Sequence, residues 1–233
     1  MEEDESWGEL LPVARSRDAA RANYNRLSKW YDLLAGKSER ACSAIGAQKL
    51  AVAHGERVLE IGFGTGNNLV EIARCAGDAG YVYGIDISDG MLEQCQTRVA
   101  AAGLANRVEL HRGDATQLPW ADESLDAVFL SFTLELFDTP ELARVIEQCH
   151  AVLKPDGRMC VVAMARQMPP GLMMRLYRWA HTRFPVLVDC RPIDAPKLIL
   201  AAGFEIRELT RLSLWGLPVD VVLARRGRAS GQS

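Results

Sequence analysis

The sequence VLEIGFGTG at residues 58–66 begins as an apolar run and passes directly into closely spaced glycines. We interpret it as a buried strand that ends in a tight turn, followed by a helix that begins near Asn67. Glycine permits a positive φ angle and the close approach of a ligand that a Cβ atom would push away. Such a turn at a helix N-terminus predicts a binding site for a nucleotide-sized ligand.

The spacing of the glycines discriminates between ligands. The dinucleotide fingerprint GxGxxG requires a third glycine at position 67, where this chain has Asn67. Here Gly62, Gly64 and Gly66 form the pattern GxGxG, and Glu60 lies two residues before the first of them. A carboxylate at this place would repel a pyrophosphate but suits a ligand with a cationic amino group. A nicotinamide-dependent oxidoreductase is therefore the less favoured alternative.

Four further motifs follow in a fixed order, and together they resemble a known family. They are YGIDISDGML at 83–92, GDATQLPW at 113–120, LDAVFLSFTLELFD at 125–138 and VLKPDGR at 152–158. With VLEIGFGTG they resemble the class I methyltransferases that use S-adenosylmethionine, within the group similar to quinone-biosynthesis and phospholipid methyltransferases. The resemblance covers residues 19–225, and ordered motifs are more specific than any single one. It implies S-adenosylmethionine as the cofactor and methyl transfer by in-line displacement.

Short β-rich runs alternate with longer helical patterns from residue 57 onward, which predicts an α/β fold with a doubly wound, mostly parallel sheet of seven strands and helices on both faces. The resemblance implies that the last strand runs antiparallel to the others. The predicted strands are 57–61, 81–85, 108–111, 127–131, 159–164, 204–211 and 219–224. The predicted helices are 38–52, 67–75, 90–102, 141–153 and 195–202.

Two aspartates follow predicted strands, where ligands of parallel sheets bind. The resemblance implies that Asp86 accepts hydrogen bonds from the ribose hydroxyls; the alternative is that it only supports the start of the next helix. Asp114 is suited to accept from the adenine amine, with the N–H of Ala115 donating to a ring nitrogen, or else it forms an Asx turn before Gln117. Ile87 would then pack on the adenine face.

The glycine turn is expected to hold the methionine part of the cofactor. We predict that the backbone of Gly62, Gly64 and Gly66 surrounds it, together with Ser131 at the end of the fourth strand. Glu60 could bind the cofactor's ammonium group directly or through water, or could equally satisfy a loop N–H.

Methyl transfer from a sulfonium depends mainly on alignment and on a dry site, so a strong base is not required. If one is used, the candidates are Glu135 after the fourth strand, Tyr24 or Tyr31 in a predicted helix at 19–34, and His181. Each has a structural alternative: a surface pair for Glu135, core packing for the tyrosines and a solvated position for His181.

The chain reads as one methyltransferase domain at 19–226, between an acidic, disordered stretch at 1–18 and a flexible tail at 227–233. Residues 166–191 form a predicted lid rich in methionine, aromatic residues and arginine. Methionine-rich surfaces adapt to irregular apolar ligands, and Arg175 and Arg178 could contact anionic head groups. We therefore expect a small apolar or amphipathic acceptor (a lipid, an isoprenoid or a quinol) met at a membrane surface, unless the lid only closes the cofactor pocket.

Composition narrows the function further. The 233 residues carry a net charge of −3, which gives no indication of nucleic acid binding. Six cysteines lie far apart without metal-ligand spacing, so no metal site is predicted and reduced thiols are expected. Neither a signal peptide nor a membrane-spanning run is evident, so a cytoplasmic protein, peripheral to the membrane at most, is expected. Monomer and homodimer both stay open.

One departure from the family pattern and the lack of an acceptor motif keep the acceptor and the activity open. Quinone-methylating relatives tend to carry Arg–Asn after the fourth strand, where this chain has Thr133–Leu134–Glu135. The atom that receives the methyl group is not specified by any motif. A binding protein that kept the cofactor pocket but lost methyl transfer, acting as a sensor or partner subunit, is the alternative from a different class.

Overall fold

The computed structural model describes residues 36–166 and 192–227. The five helices of this part are α1 (Gly36–Leu50), α2 (Asn67–Ala76), α3 (Asp89–Ala101), α4 (Thr139–Val152) and α5 (Ala195–Ala201). The seven strands are β1 (Arg57–Ile61), β2 (Tyr81–Asp86), β3 (Val108–Arg112), β4 (Leu125–Ser131), β5 (Leu153–Met164), β6 (Phe204–Leu214) and β7 (Leu217–Arg226). A 3-10 turn, Leu134–Leu136, follows β4. The predicted helix at 19–34 and nearly all of the predicted lid lie outside the described residues.

All seven strands form one sheet in the order β3-β2-β1-β4-β5-β7-β6. The pairs from β3 through β5 are parallel, whereas β7 is antiparallel to both of its neighbours. A tight turn at Trp215 and Gly216, both with positive φ, joins β6 to β7 and reverses the chain. The predicted fold class, including the antiparallel last strand, is confirmed.

Alternating side chains of the strands form a separate core on each face of the sheet. In β1, Val58 belongs to the core beneath α1, α2 and α3, and Leu59 to the core beneath α4 and α5. Helix α1 approaches the sheet closely at Gly46, where a Cβ atom would lie 2.3 Å from Cγ2 of Val162. The helix that precedes β1 is therefore held directly above the middle of the sheet.

Arg158 of β5 fastens the C-terminal end of α1. Its guanidinium donates to the carbonyl oxygen of Ala51 (2.8 Å) and to both carboxylate oxygens of Glu56 (2.8 and 2.7 Å). A planar guanidinium bound to both oxygens of a carboxylate is a strong and oriented contact. Because Glu56 immediately precedes β1, this contact fixes α1 relative to β1 and β5.

Two helices begin at residues suited to a helix N-terminus. The Ser88 side chain accepts from the N–H of Met91 (3.2 Å) and caps α3. Pro140 lies in the first turn of α4. No helix within 36–166 or 192–227 combines the length and apolar character that crossing a membrane requires.

Candidate functional site

A cavity of about 140 Å³ lies at the carboxyl ends of β1, β2, β3 and β4. The chain leaves β1 toward β2 on one side and returns to β4 on the other, so the strand order reverses here. Such a reversal leaves a crevice between the loops of adjacent strands, where open α/β sheets bind ligands. Gly62, Gly64 and Ser131, which the sequence predicts to contact a cofactor, all line this cavity.

Asp86 lines the cavity and also holds backbone N–H groups of the surrounding loops. Its Oδ2 accepts from the N–H of Gly64 (3.0 Å), and its Oδ1 accepts from the N–H of Ser88 (2.9 Å). Burial raises the pKa of the Asp86 carboxyl, and these backbone donors act in the opposite direction. The helix-supporting contact considered as the alternative is thus present. The N–H of Ile87 also donates to this carboxylate, whose remaining acceptor capacity faces the cavity. Asp86 can serve both purposes.

The three residues predicted around adenine also line the cavity: Ile87, Asp114 and Ala115. Oδ1 of Asp114 accepts from the N–H of Thr116 (2.9 Å), which is an Asx turn. This turn fixes the Asp114 carboxylate against the cavity. Binding of adenine here stays a prediction, and the geometry is compatible with it.

Two of the predicted cofactor residues do not line the cavity. Glu60 is buried beneath the glycine turn with 1% of its surface exposed. The Asn68 side chain donates to it, and burial raises its pKa well above the usual range. Gly66 faces α3, where a Cβ atom would lie 2.5 Å from Sγ of Cys95. Glu60 and Gly66 therefore pack against the side of the glycine turn that faces away from the cavity.

Glu135, the predicted base, is fully buried in the 3-10 turn and does not line the cavity. Its Oε1 accepts from the N–H of Met164 (3.3 Å), and its Oε2 has no hydrogen-bond partner among the described residues. Burial raises the pKa of Glu135 to about 8, and the charge of Glu39 contributes to the rise. The alternative considered for Glu135, an ion pair at the surface, is not found among the described residues. The complete burial of Glu135 does not favour a catalytic role.

Replacing Glu135 by glutamine is expected to change how stability depends on pH. The folded-state pKa of Glu135 is above the usual 4.5, so the contribution of this group to the stability of the wild type decreases as pH rises from about 4.5 to about 8. Glutamine keeps an acceptor for Met164 and does not ionise. In urea unfolding at pH 5 we expect the free energies of unfolding of the wild type and of Glu135→Gln to agree within about 1 kcal/mol. At pH 9 we expect Glu135→Gln to be more stable than the wild type by roughly 2–4 kcal/mol.

The matched control is Glu147→Gln, because Glu147 is exposed on α4. Its free energy of unfolding should follow that of the wild type at both pH values. Parallel pH curves for Glu135→Gln and the wild type would contradict a raised pKa at Glu135.

The segment after β4 supplies cavity residues that the sequence analysis did not identify. Phe132, Thr133, Leu136 and Phe137 line the cavity, and Phe132 adopts a positive φ of 51°. A bulky residue in this conformation is strained and requires support, which the N–H of Phe132 provides by donating to the carbonyl of Val162 (2.8 Å). The aromatic residues of LSFTLELFD were the available signal, but their spacing does not reveal which of them face a ligand.

A second cavity, of about 70 Å³, adjoins the first on the other side of the glycine turn. The two share Gly62, Gly64, Ser131 and Phe132 as walls. The outer wall comes from α1, whose Ser43 hydroxyl shares a hydrogen bond of 2.7 Å with the hydroxyl of Ser131. The sequence predicts a helix at 38–52, but no site residue was expected on it.

The remaining predicted catalytic candidates, Tyr24, Tyr31 and His181, lie outside the described residues. Their roles stay predictions.

The site and fold have counterparts among known proteins. Residues 58–157 match a family model described as a methyltransferase domain. The sheet order and the cavity at the strand reversal agree with this match. The resemblance to the class I methyltransferases stated from the sequence is borne out over these residues.

In sequence the chain is similar to a quinone methyltransferase. The demethylmenaquinone methyltransferase of Lactobacillus johnsonii (strain CNCM I-12250 / La1 / NCC 533) is 31% identical over 123 residues, covering 53% of this chain and 50% of that protein. The chain thus matches about half the length of this relative.

Two solved structures share the fold at low identity. The [4+2]-cyclase SpnF has a TM-score of 0.73 at 20% identity, covering 94% of this chain and 99% of that one. The 1,6-didemethyltoxoflavin-N1-methyltransferase of Burkholderia thailandensis, with 1,6-didemethyltoxoflavin and S-adenosylhomocysteine bound, has a TM-score of 0.67 at 19% identity, covering 93% and 94%.

Proposed function

We propose that this protein is an S-adenosylmethionine-dependent methyltransferase whose acceptor is a small apolar molecule of the quinol type. The observation that carries the proposal is the arrangement around the glycine turn. The carboxylate of Asp86 faces a cavity beside Gly64, and a Cβ atom built on Gly64 would meet nothing within 4 Å. This leaves room for a ligand to lie against the backbone while its hydroxyl groups donate to Asp86.

When bound, S-adenosylmethionine supplies a methyl group on a positively charged sulfur that a nucleophile displaces in line. The contribution of the protein is orientation and exclusion of water. Asp86 and the glycine turn would hold the nucleoside, and the buried side chains of Phe132 and Leu134 keep this end of β4 apolar. A dry site favours a displacement that neutralises charge. An electron-rich acceptor can displace the methyl group without a fixed base, and the proton that the methylated acceptor then loses would pass to solvent.

The quinol part of the proposal is supported by the name of the Lactobacillus relative. The apolar walls formed by Phe132, Leu136 and Phe137 suit a flat, largely apolar ring. Thr133–Leu134–Glu135 stands where quinone-methylating relatives tend to carry Arg–Asn, so the ring would be held differently here. We also propose that such an acceptor is met at a membrane surface, which the composition of residues 166–191 supports.

The test is transfer of labelled methyl from S-adenosylmethionine to a prenylated naphthoquinone in phosphatidylglycerol vesicles. We expect label in the lipid with the reduced quinol and none with the oxidised quinone, because only the reduced ring is nucleophilic. Co-sedimentation with the vesicles would support the membrane contact.

Different failures have different meanings. Cofactor binding without transfer to the quinol or to other extracted lipids would favour the non-catalytic sensor. Methyl transfer to another acceptor but not to the quinol would refute only the choice of acceptor. Absence of cofactor binding would overturn the whole proposal.

A further inference from the structure

The second cavity differs chemically from the first. Apolar residues dominate the walls of the first cavity, whereas the second is lined by side chains that carry charges, hydroxyls and amides: Glu39, Arg40, Ser43, Thr65, Asn67 and Asn68. The shared walls at Gly62 and Gly64 mean that one ligand can reach both. Such a ligand would have a nucleoside at one end and a charged, hydrogen-bonding group at the other.

Glu39 is the carboxylate that faces this cavity. Glu60, which the sequence analysis considered for an ammonium group, lies beneath the turn with 1% exposure and lines neither cavity. Glu39 is held by its own helix, because the Ser43 hydroxyl donates to its carbonyl oxygen (3.0 Å) and also contacts Ser131. Its carboxylate is thus carried on a turn of α1 that is fixed to the end of β4.

We propose that Glu39 is a cofactor-binding residue that pairs with the α-ammonium group of S-adenosylmethionine in the second cavity. This inference rests on the proposed function. Arg40, the next residue of α1, brings a cation to the same cavity, which suits the α-carboxylate of the same group. The chain therefore offers one charge of each sign to the zwitterionic end of the cofactor.

The protonation of Glu39 gives this pairing a measurable consequence. Burial raises the pKa of Glu39 to about 7, so at neutral pH the carboxyl is partly protonated before the ligand binds. The negative charge of Glu39 raises the pKa of two neighbouring groups: the thiol of Cys42 on α1 and the carboxyl of Glu135 after β4. Lys49, at the other end of α1, is paired with Glu208 of β6. An adjacent ammonium favours the ionised form, so binding at pH 7 should release protons.

The experiment compares two probes, S-adenosylmethionine and 5′-methylthioadenosine, which lacks the amino-acid end. Calorimetric titrations of the full chain at pH 7 would be made with the wild type, with Glu39→Gln and with the exposed control Glu147→Gln. We expect Glu39→Gln to bind S-adenosylmethionine at least tenfold more weakly than the wild type does. Its affinity for 5′-methylthioadenosine should stay within twofold of the wild-type value. Titration in two buffers of different ionisation enthalpy measures the number of protons released on binding. This number should be larger for the wild type than for Glu39→Gln.

Each other outcome overturns the proposal in a recognisable way. Equal weakening of both probes would assign Glu39 a structural role in α1. Unchanged affinity for both would exclude contact with the ammonium group. A wild type that binds neither probe would refute the proposed function itself, whereas one that binds both equally well would refute only the role of the second cavity.

Discussion

Replacement of Asp86 by alanine is expected to abolish measurable binding of S-adenosylmethionine. In the proposed complex the half-buried carboxylate of Asp86 accepts from two ribose hydroxyls, and hydrogen bonds to a charged group contribute roughly 1.5–3 kcal/mol each. Two such bonds correspond to on the order of 100- to 10,000-fold in Kd. The variant also removes the acceptor of the Gly64 N–H, which orients the glycine turn. Calorimetric titration of both proteins measures the loss directly.

Ser88→Ala is the matched control, because it separates loss of binding from loss of stability. The Ser88 side chain caps α3 and lines neither cavity, and its backbone N–H still donates to Asp86 in the variant. Removing an N-cap costs about 1 kcal/mol of stability. Urea unfolding should therefore show Ser88→Ala destabilised, with its affinity for the cofactor close to that of the wild type. A folded Asp86→Ala protein that binds within threefold of the wild type would refute ribose recognition by Asp86.

Local signals in the sequence predict much of this fold. The strand predicted at 57–61 agrees with β1 at both ends, and the Ser88 side chain caps α3. These features depend on residues that are close in the chain: an apolar run, a capping hydroxyl and a glycine turn. Asp86 and Asp114 could be predicted for the same reason, since Asp86 is the last residue of β2 and Asp114 lies just beyond the end of β3.

Features that depend on distant parts of the chain could not be predicted in this way. Ser43 contacts Ser131, 88 residues further on, and nothing near either serine indicates the pairing. Likewise, a glutamate in sequence carries no sign of whether it faces solvent, a ligand or the core. Glu60 and Glu135 looked like candidates for chemistry but are buried, and Glu39, which passed unnoticed, faces a cavity. Burial is decided by the packing of α1 and of the 3-10 turn.

Alanine at Gly62 and alanine at Gly64 are expected to fail for different reasons. Both residues have positive φ, +70° and +51°, which costs an L-residue roughly 1–2 kcal/mol. At Gly62 the new Cβ would also lie 2.3 Å from Oγ1 of Thr133, and such overpacking adds about 1–3 kcal/mol. Gly62→Ala should therefore lose roughly 2–5 kcal/mol of stability and displace the segment after β4.

Gly64→Ala should be close to the wild type in stability, with a loss of only about 1–2 kcal/mol from its backbone angle. Its Cβ has nothing within 4 Å, so it projects into the space that we assign to the cofactor. Calorimetry should then show S-adenosylmethionine binding at least tenfold weaker, although urea unfolding shows a stable fold. Unchanged affinity in Gly64→Ala would mean that no ligand lies against this backbone. Comparable destabilisation of both variants would mean that the turn tolerates no side chain at either position.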